Sequence, residues 1–105
     1  KHDFPDADFT FIVDREDARE FSLDRVLRLA AGESATIVER LGDTSGGLCS
    51  CLLAIDALDP DRELLIFNSD QIITDNLAAH VERFNHSGAD AGVITFDAVH
   101  PRWCY

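Results

Sequence analysis

The sequence predicts an α/β fold built on a mostly parallel sheet. Three observations carry this. Strand-like and helix-like segments alternate along the 105 residues in the order β-α-β-α-β-α-β, and such alternation implies parallel strands joined by right-handed crossovers. Leu64-Leu65-Ile66-Phe67 is a continuous apolar run, the pattern of a strand covered on both faces. No internal repeat, low-complexity stretch or linker interrupts the chain, so residues 1–105 read as one α/β unit.

The elements follow in order. Asp8-Phe9-Thr10-Phe11-Ile12-Val13 reads as a short strand running into the charged loop Asp14-Arg15-Glu16-Asp17. From Ser22, Leu23, Val26, Leu27 and Ala30 recur at helical spacing, with Ser22 placed to cap the helix and Gly32 to stop it. Thr36-Ile37-Val38-Glu39-Arg40-Leu41 is β-branched and strand-like, and Gly42-Asp43-Thr44-Ser45-Gly46-Gly47 forms a turn. Leu48 to Leu58 reads as a buried helix with Leu48, Cys51, Leu52 and Ile55 on its inner face, broken by Asp59-Pro60-Asp61. After the run Leu64–Phe67, Thr74 or Asp75 is placed to cap a helix whose inner face is Leu77, Val81 and Phe84. Asn85-His86-Ser87-Gly88 ends that helix, and Ala91-Gly92-Val93-Ile94-Thr95-Phe96 is the last strand.

Composition bounds the function. With 46% hydrophobic and 28% charged residues the chain can fold around one modest core. Twenty acidic residues against nine basic ones give a formal charge of −11, which argues against a nucleic-acid surface and against docking on anionic lipid. No apolar run reaches the roughly 20 residues of a membrane span, and the opening Lys1-His2-Asp3-Phe4-Pro5 is no signal peptide, so a cytoplasmic protein is expected. Cys49, Cys51 and Cys104 have neither zinc-type nor redox spacing and are expected to be reduced thiols, partly buried.

Ligands of open α/β sheets bind beyond the carboxyl ends of the strands, and two polar segments fall there. Thr44-Ser45-Gly46-Gly47 enters a helix; its glycines let a ligand approach the backbone, and N–H groups at a helix start attract anions or base carbonyls. The same residues also suit a plain turn. Asn68-Ser69-Asp70-Gln71 follows the apolar run directly. Asp70 there can hold Mg²⁺ against phosphate oxygens, or simply form a loop or cap a helix.

These segments carry a family resemblance. Leu64-Leu65-Ile66-Phe67-Asn68-Ser69-Asp70-Gln71 resembles the metal-binding strand of nucleoside-diphosphate-sugar pyrophosphorylases, an apolar run followed by Gly-Asp or Asn-Ser-Asp. Thr44-Ser45-Gly46-Gly47-Leu48-Cys49-Ser50 is similar to that family's Gly-Thr-Ala motif, and His100-Pro101-Arg102-Trp103-Cys104-Tyr105 to the His-Pro-Lys-Trp-Ser-Tyr stretch of a subgroup found with capsule and lipopolysaccharide genes. The resemblance spans residues 44–105 in the family's order, and residues 8–41 fit the same alignment more weakly.

The resemblance implies a three-layer, mostly parallel sheet of Rossmann-like, glycosyltransferase-A-type topology. It implies a nucleotidyltransferase in which the phosphate of a sugar 1-phosphate, or similar phosphomonoester, attacks the α-phosphorus of a nucleoside triphosphate and releases pyrophosphate. Positioning and charge neutralisation supply most of the catalysis in such a step. On this resemblance Asp70 would be the catalytic, Mg²⁺-binding carboxylate, and Ser45, Gly46 and Gly47 would line the base pocket. Asn68 and Gln71 would contact the ribose or support the metal site. His100 and Arg102 would approach the acceptor phosphate, or stand as solvated loop residues. The implied partners are a nucleoside triphosphate and a sugar phosphate, and a homo-oligomer is compatible with them.

The family's phosphate-cradling Gly-x-Gly-x-Arg loop, with its downstream Lys, is not found in these residues. The chain is therefore expected to be a partial nucleotidyltransferase domain, incomplete at both ends and inactive alone. Two other readings stay open. One is a nucleotide-sugar-dependent glycosyltransferase, with Asn68-Ser69-Asp70 as a variant of an Asp-x-Asp metal motif. The other is a catalytically inactive nucleotide-binding or scaffold domain, which the missing phosphate loop favours.

Overall fold

A computed structural model describes residues 4–97. The chain is α/β, with two parallel strands and several helices, and divides into two units, Lys1–Phe67 and Asn68–Tyr105.

The first unit begins with strand β1, Thr10–Asp14, which pairs in parallel with β2, Thr36–Arg40. Thr10 lies opposite Thr36 and Asp14 opposite Arg40, so both strands end at the same edge. The β-branched and aromatic residues expected to form strands do so, and the rings of Phe9 and Phe11 stack with centroids 6.2 Å apart. The crossover holds two helices. α1, Arg15–Glu20, stands where the sequence suggested a charged loop. Asp14 ends the strand and caps this helix, accepting the Glu16 N–H at 2.8 Å; Glu16 and Asp17 sit in its first turn and Arg19 in its last, which complements the helix dipole. Ala18 alone is buried on it, so no apolar periodicity announced it.

α2, Leu23–Ala31, is bounded by Ser22 and Gly32 as expected. Ser22, however, makes no side-chain capping bond: it adopts φ 50°, ψ 46°, the left-handed turn that lets α1 reverse into α2. Gly32 (φ 106°) returns its N–H to the Arg28 carbonyl at 2.8 Å. The inner face of α2 is Leu23, Leu27 and Ala31, while Val26 and Ala30 are exposed, a rotation of the expected stripe. The buried apolar residues are small ones: Ala18, Ala31, Ala35 and Ala54. Ala18 lies on α1, which packs against both strands and α2, and each of these small residues buries little area.

After β2, the region read as one buried helix from Leu48 to Leu58 is a short helix α3, Gly47–Leu52, and a 3₁₀ turn, Ile55–Ala57. Leu48, Leu52 and Ile55 are exposed and Cys51 is half-buried; Ala54 is the buried residue here. Asp59 accepts the Asp61 N–H at 3.0 Å in an Asx-type turn around Pro60, and Arg62 pairs with Asp8. Leu64–Phe67 is not a strand and is not buried: all four side chains are exposed, and the run has no ladder among the described residues. Apolar character measures what a segment gains from burial, but a strand also needs a neighbour for its N–H and C=O groups.

The second unit, described over residues 68–97, is built on α4, Leu77–Ser87. Its cap is Asn76, whose side chain accepts the Ala79 N–H at 3.0 Å, rather than Thr74 or Asp75. Asp75 instead accepts the Asn76 N–H and bonds the His80 ring at 2.8 Å. Leu77, Val81 and Phe84 form the half-buried face, and Gly88 (φ 69°) ends the helix in the left-handed conformation. Residues 91–96, expected as a strand, lack a ladder too, and Val93 and Phe96 are exposed. Gly92 packs directly on the Phe84 ring: a Cβ there would meet Cδ2 at 2.9 Å.

Candidate functional site

The turn expected to receive a nucleotide base begins just past the carboxyl end of β2. Thr44 and Ser50 pinch it closed, their hydroxyl oxygens 2.6 Å apart and both half-buried. One hydroxyl donates to the other, and the Gly46 carbonyl accepts from the one left with a free proton; it lies 3.2 Å from the Thr44 and 3.4 Å from the Ser50 oxygen. Gly46 has φ 131°, a conformation that a side chain would strain, and nothing lies within 4 Å of the position a Cβ would take. Ser45, Gly46 and Gly47 are exposed. The sequence motif is therefore a braced turn with an open backbone surface, and Thr44 and Ser50, which sequence reasoning did not single out, are its braces.

Asn68-Ser69-Asp70-Gln71 forms a turn of its own in the second unit, with the Gln71 N–H on the Asn68 carbonyl at 3.4 Å. Asn68, Asp70 and Gln71 are exposed. Asp70 thus follows an apolar run that has no strand ladder among the described residues, rather than the end of a central strand. Mg²⁺ takes one or two protein carboxylates and completes its shell with water and substrate phosphates. One exposed carboxylate fits that donor set as a single ligand, and among the described residues no group of three His, Cys, Asp or Glu converges as a fuller cage. His100 and Arg102 lie outside the described residues.

Sequence reasoning passed over the edge where β1 and β2 end together. Arg15 donates from Nε to Glu39 at 2.8 Å, and Arg40 reaches Asp14 at 3.5 Å and Asp43 at 3.8 Å. The signal lay in Asp14-Arg15 and Glu39-Arg40, charged pairs at the ends of two strand-like runs. Cys49 is an exposed free thiol and Cys51 a half-buried one, and Cys104 lies outside the described residues. No helix among the described residues is long and apolar enough to cross a membrane. The chain matches no protein-family model, no curated protein and no solved structure.

Proposed function

We propose that this chain is the central part of a cytoplasmic nucleotidyltransferase domain. It would transfer a nucleoside monophosphate from a nucleoside triphosphate to a sugar 1-phosphate or similar phosphomonoester, for surface-polysaccharide precursor synthesis. An acceptor phosphate oxygen forms a bond to the α-phosphorus, the bond from that phosphorus to the bridging oxygen breaks, and pyrophosphate leaves with the electron pair. The observation that carries the reading is the ordered pair of motifs, Thr44–Ser50 and Leu64–Gln71, each presenting an exposed polar turn.

In this reading the exposed backbone of Ser45, Gly46 and Gly47 receives the base, with the Thr44–Ser50 brace keeping the turn in its bound shape. Asp70 is the metal ligand, and Asn68 and Gln71 contact the ribose or support Asp70. His100 and Arg102 meet the acceptor phosphate. When bound, Mg²⁺ would neutralise the negative charge of the triphosphate. The fold of the whole domain would be a three-layer, Rossmann-like sheet in which Leu64–Phe67 and residues 91–96 become strands once neighbours pair them. Supporting this is the exposure of their apolar side chains, which in a paired sheet would be covered.

The test is pyrophosphate release by the full-length gene product, with Mg²⁺ and a panel of nucleoside triphosphates and sugar 1-phosphates. Release that requires one triphosphate and one sugar phosphate is the expected result. Release of nucleoside diphosphate from a nucleotide sugar instead would identify a glycosyltransferase. Nucleotide binding without turnover by any pair would leave the inactive-domain reading in its place.

A further inference from the structure

We infer that the shared carboxyl edge of β1 and β2 is a binding site for a phosphoryl oxyanion, held by Arg15, Arg19 and Arg40. A cavity of about 300 Å³ opens there, lined by these three arginines, by the carboxylates of Asp14, Glu16 and Asp43, and by Leu41 and Gly42. That volume is at the lower end of small-molecule sites, roughly 300–1,000 Å³, and suits a phosphate or pyrophosphate with its waters better than a whole nucleotide. The chain has nine basic residues in all, and three of them line this cavity, offsetting its three carboxylates so that the edge is locally balanced in a chain of net charge −11.

The guanidinium groups have donors to give. Arg19 makes no hydrogen bond or ion pair among the described residues, whereas Arg15 spends Nε on Glu39 and keeps its terminal nitrogens for a ligand. Arg40 is loosely held, at 3.5 Å and 3.8 Å from carboxylates, well beyond the roughly 2.7–2.9 Å of a strong charge-assisted bond. Asp43, one of those two partners, is fully exposed and free to swing into water. Gly42 leaves open space beside the site, with nothing within 4 Å of a Cβ position. A tetrahedral dianion offers three or more acceptor oxygens to three forked donors, which a carboxylate with two oxygens cannot match. Parallel strands ending together are also where α/β sheets place their ligands. The site stands on this edge alone and does not depend on the transfer reading.

The experiment is calorimetric titration of the 105-residue chain with pyrophosphate at low ionic strength, for the parent, Arg19→Gln, Arg40→Gln and, as a matched charge control, Arg83→Gln on α4. The expected result is weakening of about tenfold or more in Arg19→Gln and Arg40→Gln, with Arg83→Gln unchanged. In parallel, the Arg19 and Arg40 Nε–H resonances of the parent should shift on titration while that of Arg83 stays still, which decides the matter even if a variant fails to fold. Competition by a nucleoside triphosphate would identify a phosphoryl group carried on a nucleotide, and its absence would identify free pyrophosphate; either supports the site. No binding, equal weakening in Arg83→Gln, or unmoved Arg19 and Arg40 resonances would overturn it.

Discussion

Asp14 closes β1, caps α1 and faces Arg40, so one side chain joins the strand, the crossover and the neighbouring strand. The cap and the ion pair separate by substitution. Asp14→Ala removes both and should lower stability by about 1 kcal/mol, within the 0.5–2 kcal/mol typical of lost N-caps. Asp14→Asn keeps the cap acceptor and loses only a long, partly exposed ion pair, and should stay within about 0.5 kcal/mol of the parent. Urea midpoints of the two variants check this; equal losses would mean that the ion pair, not the cap, is what Asp14 provides.

Asp75 answers to pH instead. The backbone N–H of Asn76, and after it the hydrogen bond with the His80 ring, hold the Asp75 carboxyl below its ordinary value. A carboxylate whose pKa is lowered by folding stabilises the fold above its unfolded pKa, and that stabilisation is lost as pH falls through the folded value. Asp75→Ala should therefore be less stable than the parent at about pH 6, and the gap should narrow at a pH well below the ordinary carboxylate range. Urea unfolding at the two pH values measures it, and a gap that does not change with pH would remove Asp75 from the acid response.

At the scale of elements, α4 and the segment after it depend on a missing side chain. Gly92 lies so close to the Phe84 ring that Gly92→Ala forces ring or backbone to move, at about 1–3 kcal/mol. Trimming the ring should recover part of the loss: Gly92→Ala with Phe84→Leu should cost less than the sum of the two changes. A strictly additive double variant, read from denaturant unfolding, would contradict the contact. α4 itself was legible because Leu77, Val81 and Phe84 keep helical spacing and Gly88 supplies the stop. Its cap was misplaced by one or two residues because Thr74, Asp75 and Asn76 are all competent acceptors, and only local backbone geometry chooses among them. α1 was missed for the opposite reason: it is a polar helix secured by its cap and charges, and its one buried residue leaves no periodic stripe. Leu64–Phe67 and residues 91–96 were legible as apolar runs but not as strands, since pairing is a property of the neighbour as much as of the segment.

Across the molecule, the charge of −11 disfavours any broad anionic surface as a partner. The strand character of β1 and β2 was legible from their composition, their parallel sense from the β-α-β order, and the turn after β2 from its glycines. What sequence could not give was the Thr44–Ser50 brace or the gathering of Arg15, Arg19 and Arg40. Both arise from side chains brought together by the chain's turns rather than by any spacing along it.

The central claim is that Asp70 carries the metal of a nucleotidyl transfer. An exposed turn carboxylate contributes little to packing, so its loss should spare the fold while weakening Mg²⁺ binding where phosphate charge must be neutralised. The decisive measurement is pyrophosphate release at limiting Mg²⁺ by the full-length gene product, parent against Asp70→Asn, with far-UV circular dichroism confirming an unchanged fold. The account predicts that the variant loses most of its activity and recovers part of it as Mg²⁺ is raised. Parent-like turnover at limiting Mg²⁺ would contradict it.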